Sequence, residues 1–159
     1  MIKEQLQERI RASREYFERS TRPLTEEHSG FAPKEGMMTA AQQVAHAAQT
    51  VEWFVNGAFN PAGFDLDFEK ATGETMQVTS LAAAREWMAR AYDKALAAVA
   101  SKDEADLLAP LPENPIFGPA PRWTALWSIE EHSAHHRGSL AVYVRMLGAV
   151  PPMPYMDVP

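Results

Sequence analysis

His132 and His136 stand four residues apart in the run Glu130-Glu131-His132-Ser133-Ala134-His135-His136-Arg137-Gly138. On an α-helix, residues at this spacing are neighbours on one face, with Cβ atoms about 5–6 Å apart. Two imidazoles so placed can converge on one cation. The face continues through apolar residues, with Ile129 before the pair and Leu140, Tyr143 and Leu147 after it. A stripe of this kind faces a core. Rings aimed inward need partners for their polar nitrogens, and a metal ion would satisfy both at once. The chain has no cysteine, so nitrogen and oxygen donors must hold any such ion. The HExxH zinc-protease pattern is excluded, because Ser133 follows His132.

A third ligand has three candidates: His28, His46 and His135. His28 falls in an expected loop beside Glu26 and Glu27, where water solvates it. His135 is turned about 100° from His136 on the helix, away from the shared ion. His46 lies in a second helix, on a face that continues to Thr50, Trp53 and Gly57. His46, His132 and His136 are therefore the expected metal ligands. Three protein ligands leave a coordination position open, as in catalytic rather than structural zinc sites. Zinc comes first, and nickel or ferrous iron also suits imidazole donors.

Other residues have weaker claims. Arg137 could hold a substrate carboxylate, but an ion pair with Glu130, Glu131 or a loop acid is the expected role. Glu130 or Glu131 could act as a base, and no residue is assigned as the catalytic base. Glu52 could orient a histidine ring, yet it sits nearly opposite His46, which favours solvent or a neighbouring helix. Tyr143 is expected to pack in the core. Gly138 falls mid-helix, where glycine costs about 1 kcal/mol relative to alanine, and close approach of another helix would explain it. Trp123 and Trp127 either line a pocket mouth or pack under a Pro-rich connection. The tail with Met153, Tyr155 and Met156 folds over the bundle or over a partner subunit.

Four segments have the period that positions these side chains. The first spans residues 2–19, with Ile2, Leu6, Ile10, Ser13 and Phe17 on one stripe. The second starts at Thr39, where Thr39-Ala40-Ala41-Gln42 fits a capping box, and ends near Asn60-Pro61. The third is capped by Thr79 or Ser80 and presents Leu81, Ala84, Trp87, Met88, Ala91, Leu96 and Val99, stopping near Ser101. The fourth runs from about Arg122 to Leu147, with Gly148 as the stop. Two long connections flank the third helix, and connections of that length carry function or small elements of their own. The expectation is an all-α, four-helix bundle formed as one domain over residues 1–159. Such bundles build metal sites from facing helices.

Composition narrows the function classes. Hydrophobic residues make up 46% of the 159-residue chain, and the formal net charge is −6. This suits a globular domain with a sizeable core. No basic stripe suggests nucleic acid, no apolar segment is long enough for a membrane span, and no leader is apparent at the start. A cytoplasmic protein acting on a small molecule is the expectation.

The residues of the triad resemble the DinB/YfiT-like superfamily of small bacterial four-helix metalloproteins, which is distinct from the DNA polymerase of similar name. The resemblance rests on His132-Ser133-Ala134-His135-His136-Arg137-Gly138-Ser139-Leu140, on Tyr143-Val144-Arg145-Met146-Leu147-Gly148, and upstream on Val44-Ala45-His46 with Glu52-Trp53-Phe54. Many members have Gln where this chain has Ser139, a difference that touches no ligand. The resemblance implies one divalent metal on His46, His132 and His136, and often a homodimer. It also implies S-transfer or isomerisation with a low-molecular-weight thiol as cosubstrate, as in bacillithiol-type transferases and mycothiol-dependent maleylpyruvate isomerase. Hydrolysis at the same centre, or a non-catalytic module that binds a ligand or partner in stress, are the alternatives.

Overall fold

The structure is a computed structural model and describes residues 1–157. Its elements are α1 (Ile2–Thr21), a 3-10 turn (Glu26–His28), α2 (Ala40–Phe59), α3 (Phe68–Met76), α4 (Leu81–Ala100), α5 (Glu104–Leu108) and α6 (Arg122–Met146). Four long helices form the expected bundle. No strand occurs among the described residues, and one isolated bridge pairs Pro110 with Pro121.

Local chemistry sets the helix ends. The Thr39 hydroxyl accepts from the Gln42 amide at 3.3 Å, and the Gln42 side chain accepts from the Thr39 amide at 2.9 Å. This is the expected capping box. Asn60 ends α2 in extended backbone, as a residue before proline must. Ser80, rather than Thr79, caps α4 by accepting from the Ala83 amide. At the end of α6, Gly148 adopts φ +85°. Its N–H donates to the Arg145 carbonyl and that of Ala149 to the Val144 carbonyl. That is the pattern of a glycine-terminated helix.

α2 packs along α4 and α6, and α1 packs along the same two helices. α1 and α2 thus occupy diagonal corners. The expected stripe of α1 is buried, at Leu6, Ile10, Ser13 and Phe17. Ala41, Ala45 and Ala48 of α2 and Ala84, Ala91 and Ala95 of α4 are fully buried, and methyl side chains let helix axes come close. Tyr92, absent from the expected stripe of α4, is also fully buried. Its hydroxyl donates to Ser133 Oγ and accepts from Ser13 Oγ, both at 2.9 Å, which ties α4 to α6 and α1.

Both long connections contain short helices. α3 is capped by Asp67, whose carboxylate accepts from the Lys70 amide, and it buries only Thr75. α5 is capped by Asp103 and buries Leu107. The tail folds over its own bundle: Tyr155 stacks edge-on with Tyr16 at 5.0 Å, and Arg19 donates to the Pro154 carbonyl at 2.6 Å. No helix among the described residues is long and apolar enough to cross a membrane.

Candidate metal centre

The packing of α2 against α6 brings His46 onto the pair formed by His132 and His136. One ring nitrogen from each lies within 4.8 Å of the others. Ring centroids are 4.6 Å apart for His132 and His136, 4.8 Å for His46 and His136, and 5.4 Å for His46 and His132. His136 is buried, while His46 and His132 are half-buried. Among the described residues no carboxylate oxygen joins the group.

Electrostatics keep these rings neutral. Burial lowers the pKa of His136 to about 3, aided by repulsion from His132, His46 and His135. Burial, with repulsion from His46 and His135, brings His132 down to about 4. His46 is lowered by burial and by His135. Neutral imidazoles keep a free lone pair at neutral pH, which a metal ligand needs.

The proton on His136 can be placed. Its Nδ1 lies 2.6 Å from Gln43 Oε1. An amide oxygen only accepts, so Nδ1 carries the hydrogen and Nε2 has the free lone pair. Ligating histidines commonly use the second nitrogen in this way, which fixes the ring and its tautomer. The donor set, its neutrality and this anchored ring together fit a divalent transition metal. Sequence reasoning passed over Gln43, although it lies three residues before His46 and so shares its face.

The remaining candidates fall elsewhere. His28 caps its own 3-10 turn, with Nδ1 accepting from the Thr25 amide at 3.0 Å. His135 is exposed and lies outside the group. Glu52 accepts from Trp87 Nε1 at 3.2 Å and lies 4.0 Å from Lys94 Nζ, so it serves α4 and not His46. Glu130 pairs with Arg9 at 3.1 Å. Tyr143 is buried and donates to the Met38 carbonyl at 2.8 Å.

Three expectations need correction or a choice. Arg137 makes no ion pair among the described residues. Its guanidinium lies over the rings of Tyr16 and Tyr155, at 5.7 and 5.8 Å, because the tail returns across α1 and supplies a second aromatic face. Gly138 has no helix packed against it: a Cβ there would meet nothing within 4 Å. Trp123 and Trp127 stack on one another at 5.8 Å, and Arg9 covers Trp127 at 3.8 Å.

Beside the triad is a chamber of 190 Å³, reached by His46 and His132 and walled by Trp53, Phe54, Phe68 and Thr72. Trp53 is held by its Nε1–H donating to the Asp65 carbonyl at 2.6 Å and by contact with Phe64 at 4.6 Å. Phe64 in turn seats on Gly57, where any Cβ would run into its ring. Only glycine permits that approach. Phe68 and Thr72 come from α3, so this short helix forms the outer wall. A larger cavity of 590 Å³ near Arg85 and Arg19 contains none of the histidines.

A helical bundle with a three-histidine group on facing helices, opening on an apolar chamber, is the class of protein that fold and site define. The family model of the DinB superfamily matches residues 9–140, a span that includes all three histidines, and the chain belongs to this superfamily. The fold is similar to that of the DinB-like protein YjoA from Bacillus subtilis, known from a crystal structure at 2.30 Å resolution. The TM-score is 0.69 at 18% identity, covering 97% of this chain and 99% of that chain. No curated protein matches the chain.

Proposed function

We propose that the chain is a divalent-metal enzyme that transfers a low-molecular-weight thiol to a small electrophile, with His46, His132 and His136 as the metal ligands. The observation that carries this reading is the cluster of ligand nitrogens within 4.8 Å, which no carboxylate joins among the described residues. Such a set leaves room for an exogenous ligand. Zinc is the expected ion. When bound, a divalent metal acts as a Lewis acid and lowers the pKa of a thiol or water that meets it.

The chain's own residues supply the rest. Gln43 holds the His136 ring. Trp53, Phe54 and Phe68 give the chamber mostly apolar walls, which suit a small apolar electrophile and a polarizable sulfur nucleophile. The chain has no cysteine, so the sulfur comes from a second substrate. In the reaction, the thiol sulfur bonds to the electrophilic carbon, the leaving group departs with its electron pair, and the thiol proton passes to solvent.

Elemental analysis of protein purified without a histidine tag or chelator tests this. About one equivalent of a transition metal is expected in the native protein and none in His46→Ala. The loaded protein should then consume thiol when offered electrophiles such as monochlorobimane. A native protein that takes up no zinc, nickel or iron on reloading overturns the metal reading. A loaded protein that hydrolyses the electrophile at the same rate without thiol overturns the transfer reading.

A further inference from the structure

Gln49, Trp53 and Ala71 each line two cavities. One is the 190 Å³ chamber against His46 and His132. The other is an outer cleft of 430 Å³ that reaches the surface. The two therefore adjoin across these residues, and they differ sharply in character.

Size limits the inner part. An apolar cavity of ~150 Å³ accommodates benzene, so 190 Å³ suits one aromatic ring or a branched alkyl group of similar bulk. Charge limits the outer part. Four carboxylates line the cleft, those of Glu52, Asp65, Asp67 and Glu74, and they outnumber the two ammonium groups near them, Lys70 in the lining and Lys94 at 4.0 Å from Glu52. Backbone amides donate to Asp65 and Asp67 at 3.0 and 2.9 Å, which orients both carboxylates. A concave surface lined by one sign of charge focuses its field on a ligand of the other sign. Two indoles, Trp53 and Trp87, share the cleft with these acids, and indole faces attract organic cations. Acid and indole together point to an ammonium or guanidinium group, and they repel an anionic head.

We propose that these two adjoining cavities together bind a small cationic amphiphile, with one ring-sized apolar group in the chamber beside His46 and His132 and an amine-type head in the outer cleft. Calling this molecule the substrate rests on the metal-enzyme reading above. Its binding does not, because neither the apolar walls nor the carboxylates need a metal.

The test is calorimetric titration of the full-length, metal-free protein with 4-phenylbutylamine, 4-phenylbutyrate and n-butylamine. The phenyl amine is expected to bind at least tenfold more tightly than either other probe. Glu74→Gln removes an exposed charge without touching the bundle, and should weaken the amine by about fivefold, the scale of one unit charge at ~4 Å in water. Phe68→Trp narrows the chamber and should abolish the preference of phenylbutylamine over butylamine. Tighter binding of the carboxylate, equal binding of all three, or no binding of the amine overturns the proposal. The titrations use metal-free protein, so a failure here leaves the metal content of the native protein as a separate result. A protein that binds the amine yet takes up no metal would refute only the metal-enzyme reading.

Discussion

Gln43 Oε1 accepts a hydrogen bond from His136 Nδ1 at 2.6 Å, joining α2 to α6 one helical turn before His46. This bond sets the tautomer that leaves His136 Nε2 free, and it holds the most buried of the three rings. Gln43→Leu removes the acceptor at similar size. Loss of such a partner typically weakens metal binding by about 10–100-fold. Zinc competition against a chromogenic chelator should show that loss, while His135→Ala should leave the affinity unchanged. If Gln43→Leu binds zinc as tightly as the native protein, the bond has no positioning role.

Acid should destabilise the metal-free protein through the same three rings. In the unfolded chain each imidazole titrates near 6.5, whereas burial brings His132 to about 4 and His136 to about 3, with His46 also lowered. Above the unfolded value neither state binds these protons, and the contribution to stability is complete. Between the two sets of values the unfolded chain takes up protons that the fold refuses, so stability falls with pH. The urea midpoint in EDTA should stay level above about pH 6.5 and decline steadily toward pH 4. His136→Leu removes one of these protons and should flatten the slope. A midpoint that rises on acidification through this window contradicts the account.

The parts of the fold legible in the sequence were those with a local or periodic cause. Ile129, Leu140 and Tyr143 mark one face of α6 by spacing alone, and all are buried. Thr39 with Gln42, and Gly148, mark helix ends because caps use residues only a few positions apart. The same spacing logic placed His132 beside His136, and the mixed face of His46, which continues to Thr50, Trp53 and Gly57, allowed it to point into the bundle. What stayed hidden depends on distant partners or on weak patterns. Tyr92 is buried because Ser13 and Ser133, 79 and 41 residues away, satisfy its hydroxyl. α3 buries only Thr75, so it has no apolar stripe to betray it, yet it walls the chamber. Arg137 met two tyrosines rather than an acid because the tail carries Tyr155 back over α1.

Gly138 should be replaceable with gain. It lies within α6, is exposed, and an added Cβ would meet nothing within 4 Å. Its φ is negative, unlike that of Gly148. Alanine in a helix interior is favoured over glycine by about 1 kcal/mol, largely because glycine leaves the unfolded chain more freedom. Gly138→Ala should therefore raise the thermal midpoint by several degrees with zinc affinity unchanged. A lower midpoint would mean that the returning tail, which passes this position with Pro151 and Pro152, packs more closely against α6 than described.

Tyr92 with Ser13 and Ser133 forms a polar triad inside an apolar core. Tyr92 is fully buried, and the two serines are 4% and 2% exposed. Burial pushes the phenol pKa up, while the two serine hydrogen bonds pull it down. The hydroxyl stays protonated, so its hydrogen goes to Ser133 and its oxygen receives that of Ser13. Tyr92→Phe deletes one oxygen but strands two buried hydroxyls. Unsatisfied buried groups cost about 1–3 kcal/mol each, so this variant should lose more stability than one hydrogen bond contributes. Ser13→Ala and Ser133→Ala added to Tyr92→Phe remove the stranded groups. The triple variant should recover most of the loss, because replacing all partners with apolar groups can be nearly neutral. Urea denaturation of the native protein and both variants measures this directly. A triple variant less stable than Tyr92→Phe alone would show that the serines support the bundle through contacts other than the tyrosine.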